Sequence, residues 1–263
     1  MERVKRRWWR CPVITVPLYY AEVLDCQPPE RIYEAVRSRI DADSHSIDQF
    51  LDGLAPWLYG AELAAVPRLP ANMTEPFWDN GWFGIDDARA LYSIIRAHAP
   101  KRFLEVGTGN STKFACKAIR EGRTGTEVVT IDPQPRSNVD EQTGRWINRN
   151  IWKVDIGEFR RLEAGDVLFM DGSHLVLNGS DVVRFFLEIL PIVRPGVLIH
   201  VHDIHLPYEY SPEFDNRGYG EQYMLANALL NNPNLVVLLP VAYLTSQGRL
   251  KEGGGSFWFM KRA

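Results

Sequence analysis

The chain has 263 residues, 45% of them apolar and 24% charged, which are the proportions of a globular protein. A net charge of −3 gives no general attraction to nucleic acid. Three cysteines (Cys11, Cys26 and Cys116) have neither the number nor the spacing of a disulfide scaffold or a zinc knuckle, and no apolar run approaches the ~18 residues that span a bilayer.

The basic start of the chain (Arg3, Lys5, Arg6, Arg7, Arg10) runs into Trp8, Trp9 and Cys11-Pro12 without an apolar core, so it does not read as a signal peptide. The expected location is a reducing cytoplasm, with no membrane span. Residues 1–83 are expected to form a mainly helical and irregular N-terminal extension, acting as a lid or a homo-oligomer contact. Residues 13–16 read as a short strand. Ile32, Val36 and Ile40 recur every fourth residue and predict a helix beginning after Pro28-Pro29. Ile47, Phe50, Leu51 and Leu54 predict a second helix, capped by Ser44 or Ser46 and ended by Pro56. Trp57, Tyr59, Trp78, Trp82 and Phe83 then crowd a proline-rich connector. They suit core packing first, and a cover over an apolar substrate second.

Residues 84–263 alternate strand and helix patterns. Asp86 is placed to cap a helix that Pro100 ends. Phe103 to Val106 reads as a buried strand, followed by Gly107-Thr-Gly-Asn-Ser111 and a helix running to Gly122. Gly107 and Gly109 allow a tight turn and close approach to a ligand, and Asn110 or Ser111 can cap the helix whose free N–H groups face that turn. Strand two is Glu127 to Ile131, ending in Asp132, where an acid can accept hydrogen bonds from ribose hydroxyls. Strand three is expected at Ile151 to Val154. Strand four, Asp166 to Met170, leads into Asp171-Gly-Ser-His174. Strand five, Val197 to Val201, leads into His202-Asp203-Ile-His205. A helix from Glu221, strand six at Leu235 to Leu239 and a last strand at Ser256 to Met260 complete the pattern. No good helix is read between strands six and seven, so strand seven returns as an antiparallel partner. The fold expected is α/β: a Rossmann-like, mostly parallel seven-stranded sheet with an antiparallel C-terminal strand.

The glycine turn lacks the third glycine of a dinucleotide fingerprint, since Thr112 stands there. Glu105, two residues before Gly107, favours a cationic ligand group over a pyrophosphate. Glu105-Val-Gly-Thr-Gly-Asn-Ser111 resembles the first motif of class I S-adenosylmethionine (SAM) methyltransferases. Asp171-Gly-Ser-His174, Gly179-Ser-Asp-Val182, His200-Val-His-Asp-Ile204, Pro207-Tyr-Glu-Tyr210 and Gly255-Ser-Phe-Trp258 resemble one subgroup of that family. The resemblance covers residues 77–263. It implies SAM as cofactor, held by Glu105, Gly107, Gly109, Ser111, Asp132 and Asp171, with Asp155 or Ile156 near the adenine. It also implies methyl transfer to a small-molecule acceptor such as a natural product or sugar-like compound. His205 stands where an apolar or aromatic residue is expected.

Asp132, Asp171 and Asp203 each follow a strand, and ligands of open parallel sheets bind at the carboxyl ends of strands. SAM is already activated, so the protein must align donor and acceptor and remove a proton from a hydroxyl. His174 is the first choice of general base and His202 the second, with Asp203 beside them. Alternatively Asp171, His202 and Asp203 hold a divalent cation, Mg²⁺ or a transition metal, as the resemblance to catechol-type O-methyltransferases implies. His200 reads as a hydrogen-bonded core residue, and Glu209 and Glu221 as substrate or metal contacts or solvated surface acids. O-methylation of a small molecule is the leading reading. N- or C-methylation, or a SAM-binding module without turnover, are the alternatives. An NAD-dependent enzyme and a nucleic-acid methyltransferase are disfavoured.

Overall fold

The computed structural model of the chain describes residues 27–72, 74–135 and 144–262. The strand expected at 13–16 and the basic, aromatic start of the chain lie outside them. Among the described residues seven strands form one sheet: β1 (Arg102–Val106), β2 (Glu127–Ile131), β3 (Arg145–Ile147), β4 (Val167–Met170), β5 (Leu198–Val201), β6 (Leu235–Pro240) and β7 (Phe257–Lys261). Their order is β3-β2-β1-β4-β5-β7-β6, with β1 to β5 parallel and β7 antiparallel to both β5 and β6. This is the Rossmann-like sheet expected. β4 reads Val-Leu-Phe-Met and β5 Leu-Ile-His-Val, and every residue of both is buried, as strands covered by helices on both faces require.

The helices are α1 (Glu34–Asp41), α2 (Ser44–Leu58), α3 (Ala61–Ala64), α4 (Ile85–His98), α5 (Asn110–Gly122), α6 (Gly157–Arg160), α7 (181–192, with a π turn at Phe185–Ile189), α8 (Glu221–Asn231) and α9 (Val241–Ser246). α4 and α5 pack together, and Leu91 and Ile95 on one and Phe114 and Ala118 on the other are fully buried. α2 packs on α4 and β6, and α1 packs on α8. Val36, Ile40, Ile47, Leu54 and Leu58 belong to the same hydrophobic cluster as the strands. Each such side chain contributes about 1.5–3 kcal/mol on burial, so the described part of the N-terminal extension is welded to the sheet's core.

The structure departs from the sequence reading at several points. Residues 151–154 are not the third strand: Ile151–Lys153 is a 3₁₀ turn capped by the Asn150 side chain, which accepts from Trp152 N. The strand is the edge segment Arg145–Ile147, whose short length hides its period. α2 carries Pro56 inside it, and its cap position is Asp43, not a serine. Asp43 instead accepts from Val237 N at the irregularity in β6, 2.7 Å away. Asp86 lies within the first turn of α4 and accepts from the backbone N–H groups of Lys251, Glu252 and Gly253. α5 runs through Gly122, and Arg123 takes the left-handed cap. A short helix, α9, does follow β6.

The register positions the site. Val106 pairs with both Ile131 and Met170, and Met170 pairs with Val201. The four strands therefore end level, and Gly107, Asp132, Asp171 and His202 leave them side by side. The chain order reverses between β1 and β4, and such a switch point opens a crevice.

Candidate active site

A cavity of about 980 Å³ occupies that crevice, at the upper end of the usual range for ligand sites. Gly107, Gly109, Ser111, Asp132 and Asp171 all line it, as the sequence places them. Gly107 has φ +86°, and its N–H donates to Ile131 O at 3.0 Å. Asp132 fastens the turn from the neighbouring strand: Oδ2 accepts from Thr108 N at 2.9 Å and Oδ1 from Gln134 N at 2.7 Å. Asn150 and Ile151 line the wall beyond Asp132. The sequence reading missed both, because it put a strand there.

Glu105 stands behind the cavity rather than in its wall and is fully buried. Its two oxygens accept from Ser111 Oγ and Thr112 Oγ1, each at 2.5 Å, and Thr112 Oγ1 in turn accepts from Gly109 N. Ser111 is thus tied to Glu105 and is not a helix cap. Burial pushes Glu105 up to about 8, against the two hydroxyl bonds that favour its charge. Asp155 is exposed, lies outside the cavity and accepts from Gly157 N at 3.0 Å, just ahead of α6.

The expected catalytic set gathers, with a different orientation. His174 is 3% exposed and lies outside the cavity wall. Its Nε2 sits 3.3 Å from Asp171 Oδ1 and 3.5 Å from Asp203 Oδ2, and its Nδ1 is 2.8 Å from Glu221 Oε2. Burial opposes its charge, but the bonds to Asp171 and Glu221 and their charges prevail, holding His174 well above the ordinary histidine value. Both of its ring nitrogens are engaged by carboxylates, and the raised value favours the protonated ring. Asp171 would rise on burial, but the charges of His202 and His174 push it below the carboxylate range. His202 is also buried and off the cavity, with Nε2 3.7 Å from Asp203 Oδ1. Burial opposes its charge too, but the carboxylates of Asp171, Asp203 and Asp87 raise it. His200 is the core residue expected: it stacks on Phe169 at 3.7 Å and meets Ser256 Oγ at 2.9 Å.

Glu221 is fully buried rather than solvated, and its partner is His174. Glu209 is held by the Tyr33 and Tyr223 hydroxyls and by Gln222, which joins the extension to α8. Among the described residues no group of three His, Cys, Asp or Glu side chains is arranged to hold a metal ion. His174 Nε2 lies within 3.5 Å of both Asp171 and Asp203, and His202 Nε2 is 3.7 Å from the other Asp203 oxygen.

The extension meets the cavity too. Phe77, Trp82 and Phe83 line it. Phe83 is buried against Phe114 and Phe169, whereas Trp82 is 59% exposed at the rim. Lys113, on the first turns of α5, also lines it, and the sequence reading passed over it.

Residues 104–204 match a family model described as a methyltransferase domain. No curated protein matches the chain. Among solved structures, the chain is similar to the O-methyltransferase TomG from Streptomyces achromogenes, involved in tomaymycin synthesis and solved with SAM, at 17% identity over 67% of this chain and 79% of that one, TM-score 0.46. It is also similar to an O-methyltransferase from Bacillus cereus in complex with SAH, at 17% identity over 86% of this chain and 100% of that one, TM-score 0.43. A third is the SAH-bound Podospora anserina methyltransferase PaMTH1, at 14% identity over 95% of this chain and 100% of that one, TM-score 0.45.

Proposed function

We propose that this chain, whose residues 104–204 belong to the methyltransferase-domain family, transfers the methyl group of SAM to a hydroxyl oxygen of a small-molecule acceptor. The observation that carries this is the meeting of the glycine turn, Asp132 and Asp171 in one cavity wall. The turn accommodates the amino-acid end of the donor. Asp132, at the end of β2, accepts from the ribose hydroxyls, and Asn150 and Ile151 border the adenine. Asp171 lies where the sulfonium methyl meets the acceptor.

In the transfer the S–CH₃ bond breaks as the O–CH₃ bond forms in line with it, and neutral S-adenosylhomocysteine (SAH) leaves. The hydroxyl proton passes to the Asp171 carboxylate. A weak base suffices, because the oxygen becomes strongly acidic as it gains the methyl group. His174 and His202 hold Asp171 ionised, and Asp203 fixes the His174 ring that orients it; the three are positioning residues. Phe77 and Trp82 from the extension support its role as a cover over an apolar part of the acceptor, and they exclude water from the transfer.

Calorimetric titration with SAH tests the donor site. The intact protein is expected to bind at micromolar Kd, and Asp132→Ala to weaken binding at least tenfold, about 1.4 kcal/mol. An intact, folded protein that takes up no SAH contradicts the proposal.

A further inference from the structure

We infer, resting on the donor-site reading above, that Lys113 and the N-terminal turn of α5 form a carboxylate-binding subsite beside the glycine turn. Lys113 follows Gly109 by one helical turn. It is 5% exposed and lines the cavity. Its ammonium lies 5.5 Å from the Phe77 ring centroid, a contact that stabilises a cation only modestly. Among the described residues no carboxylate pairs with it. Burial holds it below the ordinary lysine value. A buried ammonium without a counter-ion is costly to keep, and an incoming anion relieves that cost.

The surroundings favour an anion at this point. Side chains on a helix lean toward its N-terminus, which brings the ammonium back toward the turn. There the first N–H groups of the 13-residue α5 have no intrahelical acceptor. The cavity's acids are already engaged: Asp132 with Thr108 and Gln134, Asp171 with His174, and Asp181 with Ser173. Glu105 is turned to Ser111 and Thr112. Lys113 is the one cationic side chain among the described residues that line the cavity. Two sources bring a carboxylate here, the amino-acid end of the donor or an acidic group on the acceptor. The nearness of the glycine turn favours the donor.

The test titrates SAH and 5′-methylthioadenosine, which lacks the amino-acid end, into the intact protein, Lys113→Met and Lys113→Arg. The expected result is a loss of at least tenfold in SAH affinity for Lys113→Met, with 5′-methylthioadenosine unchanged within twofold and Lys113→Arg restoring most of the SAH affinity. Lys113→Met should melt no lower than the parent, since an unpaired buried charge gives way to an apolar chain of similar length. Unchanged SAH affinity, with benzoate binding to the SAH-saturated protein lost in Lys113→Met, assigns the carboxylate to the acceptor. The inference is overturned if neither SAH nor benzoate distinguishes Lys113→Met, or if SAH and 5′-methylthioadenosine weaken equally. Failure of the parent protein to bind either adenosine compound overturns the donor site itself.

Discussion

Gly107→Ala is expected to abolish SAH binding, with an affinity loss of a hundredfold or more, and to lower stability by about 3 kcal/mol. A Cβ at this position would lie 1.8 Å from Asp171 O, which is backbone and cannot swing aside. The φ of +86° adds strain for any L side chain. Relief requires the ends of β1 and β4 to part, and those ends carry the glycine turn and Asp171. The same hydrogen bonds that level the strands, Gly107 N to Ile131 O and Asp171 N to Val106 O, are lost with them. Urea denaturation and SAH titration measure both effects. A variant that binds SAH within threefold of the parent would show that the turn does not touch the donor.

Glu221→Ala is expected to destabilise the fold by about 3–5 kcal/mol, the cost of breaking a buried ion pair from one side. Glu221 Oε2 is the partner of His174 Nδ1, and both residues are buried. The cost should depend on pH. His174 is raised in the folded state, so its contribution is complete below its unfolded value of 6.5 and fades as pH climbs through the folded value. The His174 part of the gap between parent and variant is therefore full at pH 6.5 and below and narrows toward alkaline pH. Glu221→Gln, which keeps the shape and an acceptor oxygen, should recover part of the loss. A cost under about 1 kcal/mol near neutrality, or one that is equal at alkaline pH, would mean that His174 is not held as a cation.

The parts of the fold that were legible in the sequence are those set by local pattern. β1, β2, β4 and β5 announce themselves as apolar runs because both faces are covered, and level strand ends then bring Gly107, Asp132 and Asp171 together without further information. β3 was illegible because three residues at the sheet's edge are too few to show a period. The orientation of the histidines was illegible for a different reason. Strand alternation stops at Val201, and His174 and Asp203 take left-handed φ values of 60° and 52°. Those angles turn His174 inward toward Glu221, a direction fixed by tertiary packing and carried by no local motif. Glu221 could not be told from a surface acid until α8 was seen to bury it.

Hydrogen–deuterium exchange with and without saturating SAH locates the donor as well as detecting it. Slowed exchange is expected in the peptides spanning 105–113 and 130–134, with a smaller effect at 150–151. Protection confined elsewhere, or none in a protein that binds SAH, would contradict a donor site at the β1–β2–β4 strand ends.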